Sequence, residues 1–161
     1  ANKGPARSSR RFMNHPGYNR LEERGFKLNI LLIDDDTLTH DVVAAFVRRY
    51  SQEHQIDVSI KALHDPVQGV LELSANGSHY DIILLDIRLP KLGGDEIYKS
   101  IAMKTPDLLR RIIVITASPD QLHKKLPGQD LRVLGKPFRY EMFEFQVSDI
   151  CPPDLIKAEH A

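Results

Sequence analysis

Two apolar runs of this chain end directly in carboxylates, and this feature constrains the fold more than any other. One run, residues 28–33, is followed by three aspartates at 34–36, and a second, residues 82–85, is followed by Asp86. Carboxylates at the end of a buried strand repel one another, and burial adds a desolvation cost. A hard divalent cation, which prefers oxygen ligands, would offset both penalties.

Two further apolar runs end in residues of other polar types. Residues 112–115 precede the hydroxyl of Thr116, and residues 131–135 precede the amine of Lys136. Between the runs the apolar residues recur at helical spacing, so strands alternate with helices. That alternation predicts a parallel sheet covered on both faces, with ligands at the carboxyl ends of its strands. The acid pair, acid, hydroxyl and amine are therefore expected at one edge of the sheet.

In their order and spacing, these strand ends closely resemble the receiver domain of two-component response regulators. The pieces that carry the resemblance are Ile33-Asp34-Asp35-Asp36, Leu85-Asp86-Ile87-Arg88-Leu89-Pro90 with Gly94, Ile115-Thr116-Ala117, and Gly135-Lys136-Pro137-Phe138. The resemblance covers about residues 27–150. It implies an α/β fold, a flavodoxin-like, doubly wound, five-stranded parallel sheet in the order 2-1-3-4-5 with helices on both faces. Residues 1–26 would then be a polar, basic N-terminal extension and 151–161 a C-terminal tail.

The resemblance also implies a function. Such a protein accepts a phosphoryl group from a sensor histidine kinase or a histidine phosphotransfer protein, and then changes conformation to signal to a partner. The implied site residues are the phosphoacceptor Asp86, the phosphoryl-contacting Thr116 and Lys136, and, for Mg²⁺, Asp34, Asp35, Asp86 and the backbone carbonyl of Arg88. The bond from Lys136 to Pro137 would be cis. The protein would be a signalling phosphoacceptor rather than an enzyme, catalysing only its own phosphorylation and dephosphorylation.

The chain departs from the family pattern near the proposed switch. Val133 occupies a position that is usually aromatic, Gly93 one where an acid or amide is common, and the stretch from Thr116 to Lys136 is short. A reduced fourth helix would move signalling or self-association to helix 5. There we expect one face to pack on the sheet and two aromatic side chains to stay exposed for a partner. The packing face would comprise Phe138, Met142 and Phe145, and the exposed pair would be Tyr140 and Phe143.

Composition narrows the setting of the protein. The net charge is zero, but residues 1–26 carry six basic and two acidic side chains, so the remainder is negative. Cys151 is the only cysteine, and no apolar stretch approaches the roughly 18 residues of a membrane span. These features favour a cytoplasmic protein without a membrane partner. The basic segment lacks interleaved aromatic residues in a usable pattern, so nucleic acid is not the expected partner of this chain.

One alternative comes from a different functional class. The segment 34–37 also resembles the start of haloacid-dehalogenase-type phosphatases, in which Asp34 would be the nucleophile. That alternative gives Asp86 no role, and the chain shows no second acidic pair late in the sequence. Two neighbours of the acids carry expectations of their own. His40 is expected on a solvated face of the first helix. Arg88 is expected to overhang the pocket mouth, where it would either obstruct hydrolytic water or pair with Asp35 or Asp36, and so tune dephosphorylation.

Overall fold

Five parallel strands form a single sheet in the computed structural model, which describes residues 27–154. The order is β2-β1-β3-β4-β5, as predicted. The strands are β1 (Leu28–Ile33), β2 (Val58–Leu63), β3 (Ile82–Asp86), β4 (Ile112–Thr116) and β5 (Arg132–Gly135). The proposed extension, residues 1–26, and most of the proposed tail, residues 155–161, lie outside the described residues.

Helices cover both faces of this sheet. They are α1 (Thr37–His54), α2 (Pro66–Asn76), α3 (Gly94–Lys104), α4 (Leu122–Lys125) and α5 (Tyr140–Ile150). Because successive side chains of a strand point to opposite faces, Ile30 and Leu32 enter the core shared with α1 and α5. Leu31 and Ile33 enter the core shared with α2 and α3. No helix in the described part of the chain is both long and apolar enough to cross a membrane.

Local sequence signals set where α1 and α2 begin. Asp36 is the N-cap of α1 and accepts a hydrogen bond of 3.0 Å from the backbone N–H of Leu38. Asp65 caps α2 in the same way through the N–H of Val67, and Pro66 occupies the first helical position. Both caps satisfy backbone donors that the first helical turn leaves without partners. The two loops that follow β1 and β2 are thereby fixed by residues of their own segments.

The register of the sheet brings the polar strand ends to one level. Ile33 of β1 pairs with Leu85 of β3, so Asp34 and Asp86 follow at the same height. Thr116 of β4 pairs with Gly135 of β5, so Lys136 follows directly beside it. The edge of the sheet predicted to collect the functional residues therefore does collect them.

The predicted orientation of α5 is wrong. Phe143 and Tyr140 are buried, at 0% and 4% exposure, whereas Met142 and Phe145 are exposed at 44% and 69%. The buried face continues along the helix from Phe143 to Val147, while the predicted face continues into a charged residue, Asp149. The predicted face also counted Phe138, which precedes the helix and so does not follow its periodicity. The proposed partner surface of Tyr140 and Phe143 therefore has no basis.

The short fourth helix is confirmed. α4 has four residues and follows a 3-10 turn at Pro119–Gln121. This turn lies close against β5, because a Cβ added at Gly135 would come within 2.9 Å of the Pro119 Cγ. The glycine thus lets the shortened connection pack against the last strand. The Lys136–Pro137 bond that follows is cis, as predicted.

Candidate functional site

Three carboxylates converge where β1 and β3 end. Asp34, Asp35 and Asp86 each offer an oxygen within 4.8 Å of the others. Asp34 and Asp86 are buried, whereas Asp35 is exposed to solvent. Three oxygen donors of this kind, with one side open to water, match the ligands that a hard divalent cation takes in proteins. The site thus joins Asp34 and Asp86, which are 52 positions apart, into the cluster that the sequence predicted.

Asp34 is held through several of its polar atoms. Its backbone N–H donates to the carbonyl of Leu63 at 3.1 Å, and its Oδ1 accepts from the N–H of Asp36 at 2.8 Å. Its Oδ2 lies 2.8 Å from the Nζ of Lys136, yet no hydrogen bond of acceptable geometry reaches this buried oxygen. The contact between Lys136 and Asp34 is therefore short enough for an ion pair, but it is not aligned as a hydrogen bond. A buried carboxylate oxygen left in this condition fits a further cationic ligand.

Asp86 is the carboxyl group whose ionisation the fold disfavours. Burial raises its pKa to about 6, and the nearby charge of Asp34 acts in the same direction. A hydrogen bond of 3.0 Å from the Arg88 N–H to Oδ1, and the charge of Lys136, oppose that rise. Ionisation of Asp86 is therefore energetically unfavourable in the protein alone, and added positive charge would stabilise the ionised carboxylate.

Lys136 supplies the amine at the end of β5. Its Nζ lies 2.8 Å from Asp34 Oδ2 and 3.5 Å from Asp86 Oδ2. Burial by itself would lower the pKa of Lys136, but its close contact with Asp34 and the charges of Asp86, Asp34 and Asp36 outweigh that effect. The pKa of Lys136 is consequently raised, and the side chain is a cation at neutral pH.

The backbone of Asp86 leaves no room for a side chain at the start of α3. A Cβ added to Gly94 would lie 1.9 Å from the carbonyl oxygen of Asp86, which no packing can accommodate. The N–H of Gly94 donates to the carbonyl of Ile87 at 3.1 Å and closes the loop over the strand end. Gly94 is therefore needed for close approach of the backbone, which positions the β3–α3 loop beside the carboxylates.

Thr116 and Arg88 meet at a common neighbour, Ser118. The Oγ1 of Thr116 accepts a 3.0 Å hydrogen bond from the N–H of Ser118, so its own hydroxyl proton can be donated elsewhere. The guanidinium of Arg88 donates to the Oγ of Ser118 at 3.0 Å. The predicted pairing of Arg88 with Asp35 or Asp36 is not observed. Strands β3 and β4 are neighbours, so the loop after β3 faces the loop after β4 instead.

His40 is not on the solvated face where the sequence predicts it. Its Nε2 lies 2.5 Å from the backbone carbonyl of Asp34, and its ring stacks on that of His64 with centroids 3.8 Å apart and planes inclined by 5°. The expectation of a solvated position is thus wrong, since His40 is partly buried and contacts the backbone of Asp34. Its spacing of six residues from Asp34, one turn into α1, was the available signal. The stacking partner on another loop gave no signal in the sequence.

Comparison with known proteins points to one family. The family model described as the response regulator receiver domain matches residues 30–143. Among curated proteins, the chain is 30% identical over 136 residues to the transcriptional regulatory protein MalR of Bacillus subtilis, covering 83% of this chain and 54% of MalR. It is 25% identical over 116 residues to the transcriptional regulatory protein CutR of Streptomyces coelicolor, covering 70% and 48%. The chain spans about half the length of these relatives.

Solved structures with the same fold include two receiver domains. The receiver domain of the sensor histidine kinase PA1611 from Pseudomonas aeruginosa, with a magnesium ion coordinated in its active-site cleft, matches with a TM-score of 0.62 and 26% identity. The match covers 78% of this chain and 98% of that one. A response regulator receiver domain protein from Clostridium thermocellum matches with a TM-score of 0.64 at 17% identity, covering 79% and 96%.

The haloacid-dehalogenase alternative finds no support in these comparisons. It also leaves Asp86 without a role, although Asp86 lies within the same carboxylate cluster as Asp34. The sheet order, the strand-end cluster and the matching family model all agree with the other resemblance. The chain belongs to the family of response regulator receiver domains.

Proposed function

We propose that this chain accepts a phosphoryl group on Asp86 from a phosphohistidine of a sensor histidine kinase or a histidine phosphotransfer protein. The observation that carries the proposal is the convergence of Asp34, Asp35 and Asp86 within 4.8 Å, with the amine of Lys136 at 3.5 Å from Asp86. A nucleophilic carboxylate, an acidic pair and a neighbouring cation are the groups that phosphoryl transfer to an aspartate requires.

The cofactor of this reaction is Mg²⁺. The carboxylates of Asp34, Asp35 and Asp86 and the backbone carbonyl of Arg88 would hold it. The cluster fits this ion because all four donors are oxygens and because one buried oxygen of Asp34 has no aligned partner. When bound, Mg²⁺ supplies positive charge to the phosphoryl oxygens and offsets the repulsion between the carboxylates.

In the transfer step, one oxygen of the ionised Asp86 carboxylate forms a bond to phosphorus as the bond from phosphorus to the donor histidine nitrogen breaks. Lys136 places an ammonium beside the incoming phosphoryl oxygens. The hydroxyl of Thr116, which already accepts from Ser118, donates its proton to one of them. These side chains position and neutralise charge, which accounts for most of the catalysis in phosphoryl transfer.

The product then acts as a signal. Recruitment of Thr116 to the phosphoryl group would shift the β4 loop, and this shift is what a downstream partner would read. The chain would thus serve as a cytoplasmic signalling phosphoacceptor that catalyses only its own phosphorylation and dephosphorylation.

The test is intact mass spectrometry after incubation with Mg²⁺ and acetyl phosphate, followed by peptide mapping of the modified residue. Asp86→Asn should abolish labelling, and Asp34→Asn should weaken metal binding and slow labelling. Asp36→Asn is the matched control, because asparagine caps a helix as well as aspartate and should leave labelling unchanged. Labelling that survives Asp86→Asn and disappears with Asp34→Asn would contradict the proposal.

A further inference from the structure

Two stacked histidines, one of which contacts the backbone of Asp34, have no role in the proposed chemistry. His40 is in the first turns of α1, and His64 is in the loop between β2 and α2. Their rings stack with centroids 3.8 Å apart and almost parallel planes. We name these two side chains the histidine pair.

The histidine pair completes a closed set of contacts around Asp34. The N–H of Asp34 donates to the carbonyl of Leu63, and the carbonyl of Asp34 lies 2.5 Å from Nε2 of His40. The ring of His40 stacks on His64, which follows Leu63 directly in the chain. The loops after β1 and β2 are thus joined twice, once through the backbone and once through the imidazoles.

Because a backbone carbonyl can only accept, the Nε2 of His40 must carry the hydrogen and donate to Asp34. The bond fixes the backbone of the residue whose carboxylate belongs to the proposed metal site. Asp35, the exposed ligand, is the next residue and follows the same backbone. A small change in this loop would therefore move two of the three carboxylates.

We infer that His40 is a positioning residue, which holds the Asp34–Asp35 backbone in the geometry that binds Mg²⁺, and that His64 supports it by stacking. This inference rests on the proposed function and assigns to it two residues that the phosphoryl-transfer chemistry does not use. His40 does not ligate the metal. It preorganises the residues that would bind the metal, which reduces the free-energy cost of ordering them when the ion binds.

The experiment is an NMR titration of the ¹⁵N-labelled protein with Mg²⁺ at pH 8. His40→Leu removes the donor and should raise the Kd for Mg²⁺ by about fivefold, the effect of one lost hydrogen bond. His40→Gln places an amide nitrogen near the position of Nε2 and should restore most of the affinity. His64→Ala keeps the donor but removes the stacking ring, and should give an intermediate Kd.

The matched control is His54→Leu at the other end of α1. The variant also removes a hydrogen bond, the one of 2.9 Å between His54 and Glu144. In the described structure, however, His54 does not contact residues 34–36. This variant should lower the melting temperature and leave the Kd for Mg²⁺ unchanged.

The inference fails if His40→Leu lowers the melting temperature as His54→Leu does but binds Mg²⁺ with the wild-type Kd. It also fails if His40→Gln binds as weakly as His40→Leu, since the donated hydrogen bond would then not matter. A wild-type Kd for His64→Ala would remove His64 from the inference. Absence of Mg²⁺ binding by the wild-type protein is a separate result, which would overturn the proposed function itself.

Discussion

Asp86 is the residue at which the needs of folding and of chemistry conflict. The proposed nucleophilic attack requires its ionised form, yet burial raises its pKa to about 6. In an unfolded chain the pKa of an aspartate is about 3.9. Between about pH 4 and pH 6 the folded protein therefore binds more protons at this residue than the unfolded chain does. The contribution of Asp86 to the free energy of unfolding thus falls as the pH rises from about 4 to about 6, and it remains lower at higher pH.

The first prediction concerns this loss of stability in the absence of metal. Asp86→Asn removes the charge and keeps an acceptor for the N–H of Arg88, so it should stabilise the metal-free protein at pH 8 by about 2 kcal/mol. At pH 4 the gain should largely disappear, because wild-type Asp86 is then mostly protonated. Urea unfolding in EDTA at the two pH values measures both differences. An Asp86→Asn variant that is less stable than wild type at pH 8 would contradict the prediction.

Arg88 is the second residue with a role that can be tested. Its guanidinium donates to the hydroxyl of Ser118 in the loop after β4. We expect this contact to hinder the water that would hydrolyse the proposed aspartyl phosphate. In Arg88→Asn the asparagine side chain is too short to reach Ser118. The variant should therefore speed dephosphorylation severalfold, with little change in the affinity for Mg²⁺. Decay of the labelled protein, followed by intact mass after removal of the phosphodonor, measures the rate.

The control for Arg88 is its partner. Ser118→Ala should also speed decay, and the double variant should decay no faster than Arg88→Asn alone, because both changes break the same hydrogen bond. If decay is unaffected while the affinity for Mg²⁺ collapses, Arg88 acts through the metal site and the assigned role is wrong.

At the scale of elements, α5 is held to α1 by polar contacts as well as by apolar packing. The hydroxyl of Tyr140 donates to Glu53 at 2.7 Å, and His54 lies 2.9 Å from Glu144. Arg49 lies 3.9 Å above the ring of Tyr140. Contacts of this kind depend on how α5 is rotated about its axis, so together they fix which of its aromatic side chains face the core.

The third prediction tests that rotation. Phe143→Ala should lower the free energy of unfolding by about 3–5 kcal/mol, because it empties space in the core beside α1. Phe145→Ala, the matched change two residues along, should alter it by less than about 0.5 kcal/mol, because that side chain is exposed. Urea unfolding of the two variants decides the point. Equal losses would mean that α5 is oriented differently from the structure described here.

At the scale of the whole molecule, the proposed metal site would couple metal binding to folding. The three carboxylates come together only when β1 and β3 pair, so the unfolded chain does not offer the site. A ligand that binds only the folded state stabilises it in proportion to the logarithm of its concentration. The stability of the domain should therefore report occupation of the site.

The fourth prediction follows from this coupling. Mg²⁺ at ten times its Kd should raise the free energy of unfolding by about 1.4 kcal/mol, and EDTA should reverse the gain. The increase in melting temperature with Mg²⁺ concentration measures it. Asp34→Asn should shift the response to higher concentrations. A wild-type melting temperature that is the same in EDTA and in saturating Mg²⁺ would contradict the prediction.

The strand ends and the polar residues collected there were predictable from the sequence. Apolar runs ending in Asp34, Asp86, Thr116 and Lys136 predict a sheet whose carboxyl edge is polar, because the buried interior of a strand disfavours such residues. The N-caps of α1 and α2 are likewise local features, since a cap bonds to backbone groups two or three residues away. These features depend on contacts within one segment or on a register that the apolar pattern fixes.

Which neighbours those residues have depends on the packing of distant segments. The orientation of α5 was wrong in the sequence analysis because two apolar faces of the helix competed, and packing against α1 selected the one containing Phe143. The partners of Arg88 and His40, which are Ser118 and the Asp34 carbonyl with His64, depend on where separate loops meet. No periodicity within one segment records such a meeting, since it is set by the packing of elements that are distant in the chain.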